Sequence, residues 1–375
     1  MSSPARRPGR AAAAPSGPTV AVTGAASALG ALVVERLVAR VGADIGRVVA
    51  VDAVRGAATG ATWRVGAVDT PAAGELLRGA DVVVLLAPAL DLQHTLATPV
   101  AERRAVTVRA AQAIATAAAA VGARRLVAVT SAMVLISARA TDEAPVTPLP
   151  DDAPVVAPTD AGAVGDLVEV ERVLARVPRT HPGLAVTVLR PAALVGPDVD
   201  TVVSRHFEAP RLLVLRDSET VWQFCHVDDL AEAVAVTVGA DLDGSLTVGS
   251  PGVLTQSEIE HLSGMRRVEL TAAMAFSTAE RLHRVGVLPA PATDLTYVVR
   301  PWVVSARRLT DAGWSPTYDN QTCLGVLLEQ VQGHHAVASR RLDRKDAALG
   351  AAGAAVALVG TAAIVRRRRR RDAGS

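Results

Sequence analysis

The chain has 375 residues, half of them apolar, and a formal net charge of +2. This length holds one large domain or two small ones, and the near-neutral charge excludes a strongly nucleic-acid-seeking body. Two cysteines, Cys225 and Cys323, give neither a disulfide framework nor a zinc-type spacing, so no metal centre is expected.

Residues 1–18 carry Pro, Gly, Ser and Arg without the apolar stretch of a secretory signal, and are expected to form a disordered extension. From Thr19 to about Pro191, short valine-rich runs alternate with helical patterns. The runs Val20–Thr23, Val48–Asp52, Val82–Ala87, Leu126–Ser131 and Ala185–Pro191 show no polar alternation, which predicts strands covered on both faces. Leu29, Leu32, Val33, Leu37 and Val41 share one helical face after the first run. The alternation predicts an α/β fold, a Rossmann-type doubly wound parallel sheet, across about 19–191. A smaller C-terminal lobe is expected across about 192–331, with a helix over Leu230–Val238.

Between the first strand and its helix lies Thr23-Gly24-Ala25-Ala26-Ser27-Ala28-Leu29-Gly30. Gly24 permits a tight turn, and Gly30 permits close packing of helix on strand. The small residues between them leave room for a pyrophosphate at the helix N-terminus, where free N–H groups favour anions. Gly24, Ser27, Leu29 and Gly30 are therefore candidate cofactor contacts, with Ala87 at the end of the run Val82–Ala87 as another. Asp52, twenty-two positions after Gly30, is placed to accept hydrogen bonds from a ribose diol, which favours NAD over NADP. Arg55 keeps NADP open as the less favoured cofactor. Ser27 stands at the middle glycine position, so the loop alone is a weak signal; the ordered strand, loop, helix, strand and acid carry the reading.

This loop is joined by Asp81–Ala87, Arg125–Ser131, Val188–Pro191 leading to Gly196-Pro197, and His226–Ala231. In this order they resemble the extended short-chain dehydrogenase/reductase superfamily, of the NAD-dependent epimerase/dehydratase type. Ser305–Leu309 followed by Gly313–Pro316 looks like the segment that closes such domains. The resemblance implies a domain over 19–331, and a catalytic hydroxyl at Ser131. It also implies a tyrosine that moves a proton at the reacting carbon's oxygen, and a lysine four residues later that lowers the tyrosine's pKa.

That pair is missing. Among 39 basic side chains the single lysine is Lys345, and the two tyrosines are Tyr297 and Tyr318. In the corresponding helix, Gly162–Arg172, Ala163 stands at the tyrosine position and Leu167 at the lysine position. Other departures are Ala67 for an aspartate near the adenine, with Asp69 close by, Leu85 for a strand histidine, and Ala193 for an asparagine near the substrate. Ser131 without its partner reads as a hydroxyl at a strand end. His226 reads as packed beside a helix start, Asp228 or Asp229 as that helix's N-cap, and Arg190 as an anchor between the lobes.

Residues 332–346 read as a basic linker. Residues 347–365 carry no charge and are followed by six arginines, Arg366–Arg371, within an Arg-rich tail over 366–375. Nineteen residues span about 28 Å as a helix, near the thickness of a bilayer core, so a transmembrane or membrane-interface helix is expected over 347–365. The expected location is a cytoplasmic domain held at a membrane through its tail. The expected function is an NAD(P)-binding epimerase/dehydratase-like protein without the standard pair, a binding or sensing module with an unidentified small-molecule substrate. Two alternatives stand beside it. One is an active sugar-nucleotide epimerase, dehydratase or hydroxysteroid-type oxidoreductase with a relocated acid–base group; the other is a scaffold with a vestigial cleft. A homodimer is an assembly that the sequence leaves open.

Overall fold

In the computed structural model of the chain, the described residues are 17–87, 92–136, 147–159, 162–216, 218–285, 288, 290–331, 335–337 and 340–342. The apolar runs form one parallel sheet of seven strands: β1 (Thr19–Thr23), β2 (Arg47–Asp52), β3 (Thr62–Val65), β4 (Val82–Leu86), β5 (Arg125–Val129), β6 (Ala185–Pro191) and β7 (Gly244–Val248). Their spatial order is β3-β2-β1-β4-β5-β6-β7, and every neighbouring pair runs parallel. The order reverses between β1 and β4, which opens a crevice at the carboxyl ends of the central strands.

Four long helices cover the sheet: α1 (Ala28–Val38), α2 (Val100–Ala120), α3 (Gly162–Leu174) and α4 (Val227–Gly239). Successive strand residues point to opposite faces, so each strand feeds two cores. Val20, Val22, Val48, Ala50, Val82 and Val84 pack with Val33, Val34 and Leu37 of α1 and with Leu230, Val234 and Val238 of α4. Ala21, Val49, Val51, Val83 and Leu85 pack on the other face with Ile114, Ala115 and Ala118 of α2 and with Val170 and Leu174 of α3. Burial on both faces is why the strands lack polar alternation.

Two sheet strands fall outside the expected runs. β3 reads Thr-Trp-Arg-Val and lies on the sheet's edge, where Val65 is 54% exposed, so it carries little apolar signal. β7 is a short Gly-Ser-Leu-Thr-Val strand at the opposite edge, pairing with β6. The chain therefore leaves the sheet after β6 and comes back through α4 to lay down β7. Between and after these elements, a smaller lobe is built from short strand pairs. Ala193–Val195 pairs with Phe224–His226, Leu212–Leu215 with Arg267–Leu270, and Val221–Trp222 with Leu254–Thr255. Val41 lies beyond the end of α1 and is half-exposed, outside the face it was grouped with by spacing.

Part of the expected linker is an antiparallel pair, His335–Val337 with Arg340–Leu342. Residues 1–16, the segment 347–365 and the tail 366–375 lie outside the described residues. Among the described residues no helix is long and apolar enough to cross a membrane.

Two polar readings differ from the structure, those of Arg190 and of Asp228 or Asp229, while His226 packs at the helix start as its context predicts. Arg190 does not bridge the lobes: its Nη2 and Nε donate to Glu171 of α3 at 2.6 and 3.2 Å, and its Nη1 donates to the Ala153 carbonyl at 2.9 Å. The N-cap of α4 is His226, whose Nδ1 accepts from the Asp228 N–H at 3.2 Å. Asp229 instead accepts from the N–H groups of Thr317 and Tyr318, tying the segment after Trp314 to α4.

Glu171 also accepts from the Thr130 hydroxyl at 2.7 Å, so Arg190, Glu171 and Thr130 lock α3 against β5 and β6. Replacing Arg190 by Met leaves a buried carboxylate without its cation. The expected loss is about 3–5 kcal/mol of unfolding free energy, and urea denaturation at neutral pH measures it.

Candidate functional site

The glycine loop closes the crevice on one side. Gly24 has φ 75°, a conformation that glycine adopts without strain. A Cβ at Gly30 would lie 2.1 Å from the Gly24 carbonyl oxygen and 2.8 Å from the Ala25 Cα, so only glycine lets α1 sit this close to β1. Ser27 is the N-cap of α1; its Oγ donates to the Gly24 carbonyl at 2.8 Å and accepts from the Gly30 N–H at 3.0 Å. Ala28 and Leu29 follow as the first helical residues, whose N–H groups have no intrahelical acceptor. The loop thus offers free donors and the positive end of a helix dipole to an anion.

Asp52 stands at the carboxyl end of β2. Its Oδ2 accepts from the Ala26 N–H at 2.9 Å, and its Oδ1 accepts from the Ala53 N–H at 2.7 Å. Each oxygen retains a lone pair for a further donor. Gly56 folds the following loop back onto the cradle, since a Cβ there would be 2.7 Å from the Ala26 Cα. Ala87 lies buried at the end of β4, a small side chain beside the loop.

Ser131 lies at the end of β5, where its Oγ accepts from the Met133 N–H at 3.2 Å and caps a 3-10 turn over Ala132–Leu135. It lines a cleft of about 50 Å³ together with Ala163, Leu167, Ala192, Leu194 and Asp294. Ser131, Ala163 and Leu167 thus meet in one place, as the helix register requires. Leu167 is 2% exposed and belongs to the hydrophobic core. Leu85 and Ala193 are likewise core residues, and Asp69 faces Arg109 across 3.6 Å.

Sequence reasoning missed the charged groups behind this cleft. Asp166, fully buried on α3, accepts from the Nε atoms of Arg103 and Arg104 on α2. The Nη2 atoms of both arginines are buried without a partner among the described residues. Asp294 arrives from the far lobe, on the turn Ala292–Leu295, and its Oδ1 also has no partner there. Burial pushes the Asp294 carboxyl up to about 7, against the lowering influence of Arg103 and His283. No motif or spacing marks Asp294; only the fold brings residue 294 beside residue 131.

The remaining candidates are accounted for by structure. His226 is buried and stacks on Tyr318 with ring centroids 3.7 Å apart. Burial pushes the Cys225 thiol up and the Cys323 thiol up to about 12, so neither is a ready nucleophile. Arg211 and Arg216 are exposed. A wider groove of about 420 Å³ lies beside α3 and β6, but its buried charges, Glu171 and Arg190, are already paired with each other.

The profile described as "NAD dependent epimerase/dehydratase family" matches residues 20–245, more than half of the chain. An uncharacterized protein of Mycobacterium tuberculosis (strain ATCC 25618 / H37Rv) is 28% identical over 107 residues, which are 28% of either chain. The match thus spans about a quarter of the length of that relative. Among solved structures, MoeE5 in complex with UDP-glucuronic acid and NAD is similar at a TM-score of 0.59 and 21% identity, covering 84% of this chain and 99% of its own. UDP-glucose 4-epimerase with UDP-glucose from Thermotoga maritima gives 0.58 and 18%, covering 83% and 98%. DesIV, a dTDP-glucose 4,6-dehydratase from Streptomyces venezuelae with NAD and TYD bound, gives 0.60 and 17%, covering 83% and 96%. At these identities the likeness is one of fold.

The contact between Gly30 and Gly24 leaves no room for a methyl group. Gly30→Ala is expected to lower stability by roughly 1–3 kcal/mol through forced separation of α1 from β1, read as a reduced urea midpoint.

Proposed function

The chain belongs to the NAD dependent epimerase/dehydratase family, and we propose that it binds NAD at the carboxyl ends of the central strands without the tyrosine–lysine chemistry of the resemblance. One observation carries this reading: the cradle of Gly24, Ser27, Gly30 and Asp52 is assembled, while Ala163 and Leu167 line the cleft as apolar groups. Gly24, Ser27, Leu29 and Gly30 would hold the pyrophosphate, Asp52 the adenosine ribose, and Ala87 would leave space beside them. The acid at position 52 disfavours a 2′-phosphate, which supports NAD over NADP.

When bound, NAD supplies hydride transfer; the chain's own residues bind and orient it. Proton movement by a phenol has no group here, because Ala163 carries only a methyl and Leu167 excludes both water and charge. The protein then serves as a dinucleotide-binding or sensing module. The UDP-glucuronic acid bound to MoeE5 and the UDP-glucose bound to the Thermotoga maritima epimerase support a nucleotide-linked partner for the adjoining lobe. The uncharged run 347–365 and the arginines after it support placing this module at a membrane surface. A second reading, an enzyme with a relocated acid–base group, is favoured by the buried Asp294 in the same cleft.

Calorimetric titration of the full-length protein with NAD+ and NADP+ tests the proposal. Micromolar binding of NAD+ and weaker binding of NADP+ are expected. Asp52→Ala should weaken NAD+ by about tenfold or more, the worth of a charge-assisted hydrogen bond. No NAD+ binding up to millimolar concentration would leave the fold as an interaction scaffold.

A further inference from the structure

Asp294 is the carboxyl that lines the cleft where the tyrosine is missing. It is 6% exposed, and its Oδ1 has no hydrogen-bond partner among the described residues. A glycine makes room for it: a Cβ at Gly162 would stand 2.9 Å from each carboxylate oxygen, and Gly162 itself has φ 44°. Burying a carboxyl without a partner is unfavourable, so this position calls for a proton or a cationic ligand.

The cradle sets the direction in which a dinucleotide lies. Asp52 at the end of β2 marks the adenosine side, and the N-terminus of α1 marks the pyrophosphate. The nicotinamide half then extends the opposite way, over the ends of β4 and β5, toward Ser131 and the cleft lined by Asp294. This step rests on the dinucleotide-binding reading above. We propose that Asp294 is the residue by which the cleft distinguishes NAD+ from NADH: its carboxylate attracts the positively charged ring of the oxidised cofactor and gains nothing from the neutral ring of the reduced one.

The distinction is set by protonation. The carboxyl, raised to about 7 by burial, is charged above that pH and neutral below it. Preference for NAD+ therefore grows as pH rises through neutrality, and NAD+ binding releases a proton there. The charged groups that act on Asp294 are Arg103 from α2 and His283 from the helix Ala272–Arg284. Arg103 is engaged by Asp166 of α3, which also holds Arg104. The His283 Nδ1 lies 2.9 Å from the Leu288 carbonyl oxygen. Arg205 and Asp200, beside the cleft residue Thr201, are paired at 2.7 Å, and the helix Thr296–Val299 brings no charged side chain.

The experiment measures Kd of NAD+ and of NADH for the full-length protein between about pH 5.5 and about pH 8.5. The ratio of the NADH Kd to the NAD+ Kd is expected to rise on the order of tenfold across this range. Tenfold corresponds to about 1.4 kcal/mol of charge-dependent discrimination between the two rings. Asp294→Asn, isosteric and uncharged, should flatten the ratio. Calorimetry of wild-type protein in two buffers of different ionisation enthalpy should show proton release on NAD+ binding near neutral pH, a readout that needs no variant. A flat ratio or zero proton release in wild-type protein overturns the proposal. So does a pH dependence that persists in Asp294→Asn, and its loss in His283→Gln alone would assign the effect to the imidazole. Failure of both cofactors to bind is a different result, since it overturns the dinucleotide reading itself.

Discussion

A parallel sheet must be covered on both faces, and that constraint organises this protein. Crossover connections place helices above and below the strands, and the valine-rich strands then bury side chains in two directions. Loops are confined to the strand ends. At the carboxyl ends, β1 and β4 send their connections to opposite sides, so a crevice opens where the order reverses. The glycine cradle, Asp52 and Ser131 all stand at these carboxyl ends.

The cradle and the empty dyad rest on opposite uses of small residues. Gly30 lets a helix touch a strand. Ala163 and Leu167 form apolar wall in the cleft. A lysine ammonium at position 167 would have to be desolvated inside the hydrophobic core, where a charge is strongly disfavoured.

Much of this arrangement is legible in the sequence, for physical reasons that also mark the limit. The central strands announce themselves because burial on both faces demands unbroken apolar runs. β3 and β7 sit at edges, where polar residues are tolerated, and their sequences blur into the loops. Gly24, Gly30 and Asp52 are local in sequence and fixed by spacing. Ala163 and Leu167 could be placed because helix register carries over from Glu171 and Arg172. Asp294 could not: it lies more than a hundred residues from α3 and enters the cleft through the packing of the smaller lobe. The roles of Arg190 and Asp229 are hidden in the sequence for a similar reason, because their partners at positions 171 and 317 are joined to them only by the fold.

The late arrival of β7 bears on how the chain can be divided. The seventh strand and α4 come after the first short strand pair of the smaller lobe and before the other two are completed, yet they complete the sheet and one of its two covering layers. A fragment ending at Pro191 would lose Leu230, Val234 and Val238 from above the sheet, and β6 would become an open edge with apolar residues beside it. The smaller lobe is therefore laid into the sheet's connectivity. The two halves share one hydrophobic core, so the strands that carry the glycine loop and Asp52 are packed in part by residues that arrive only after Pro191.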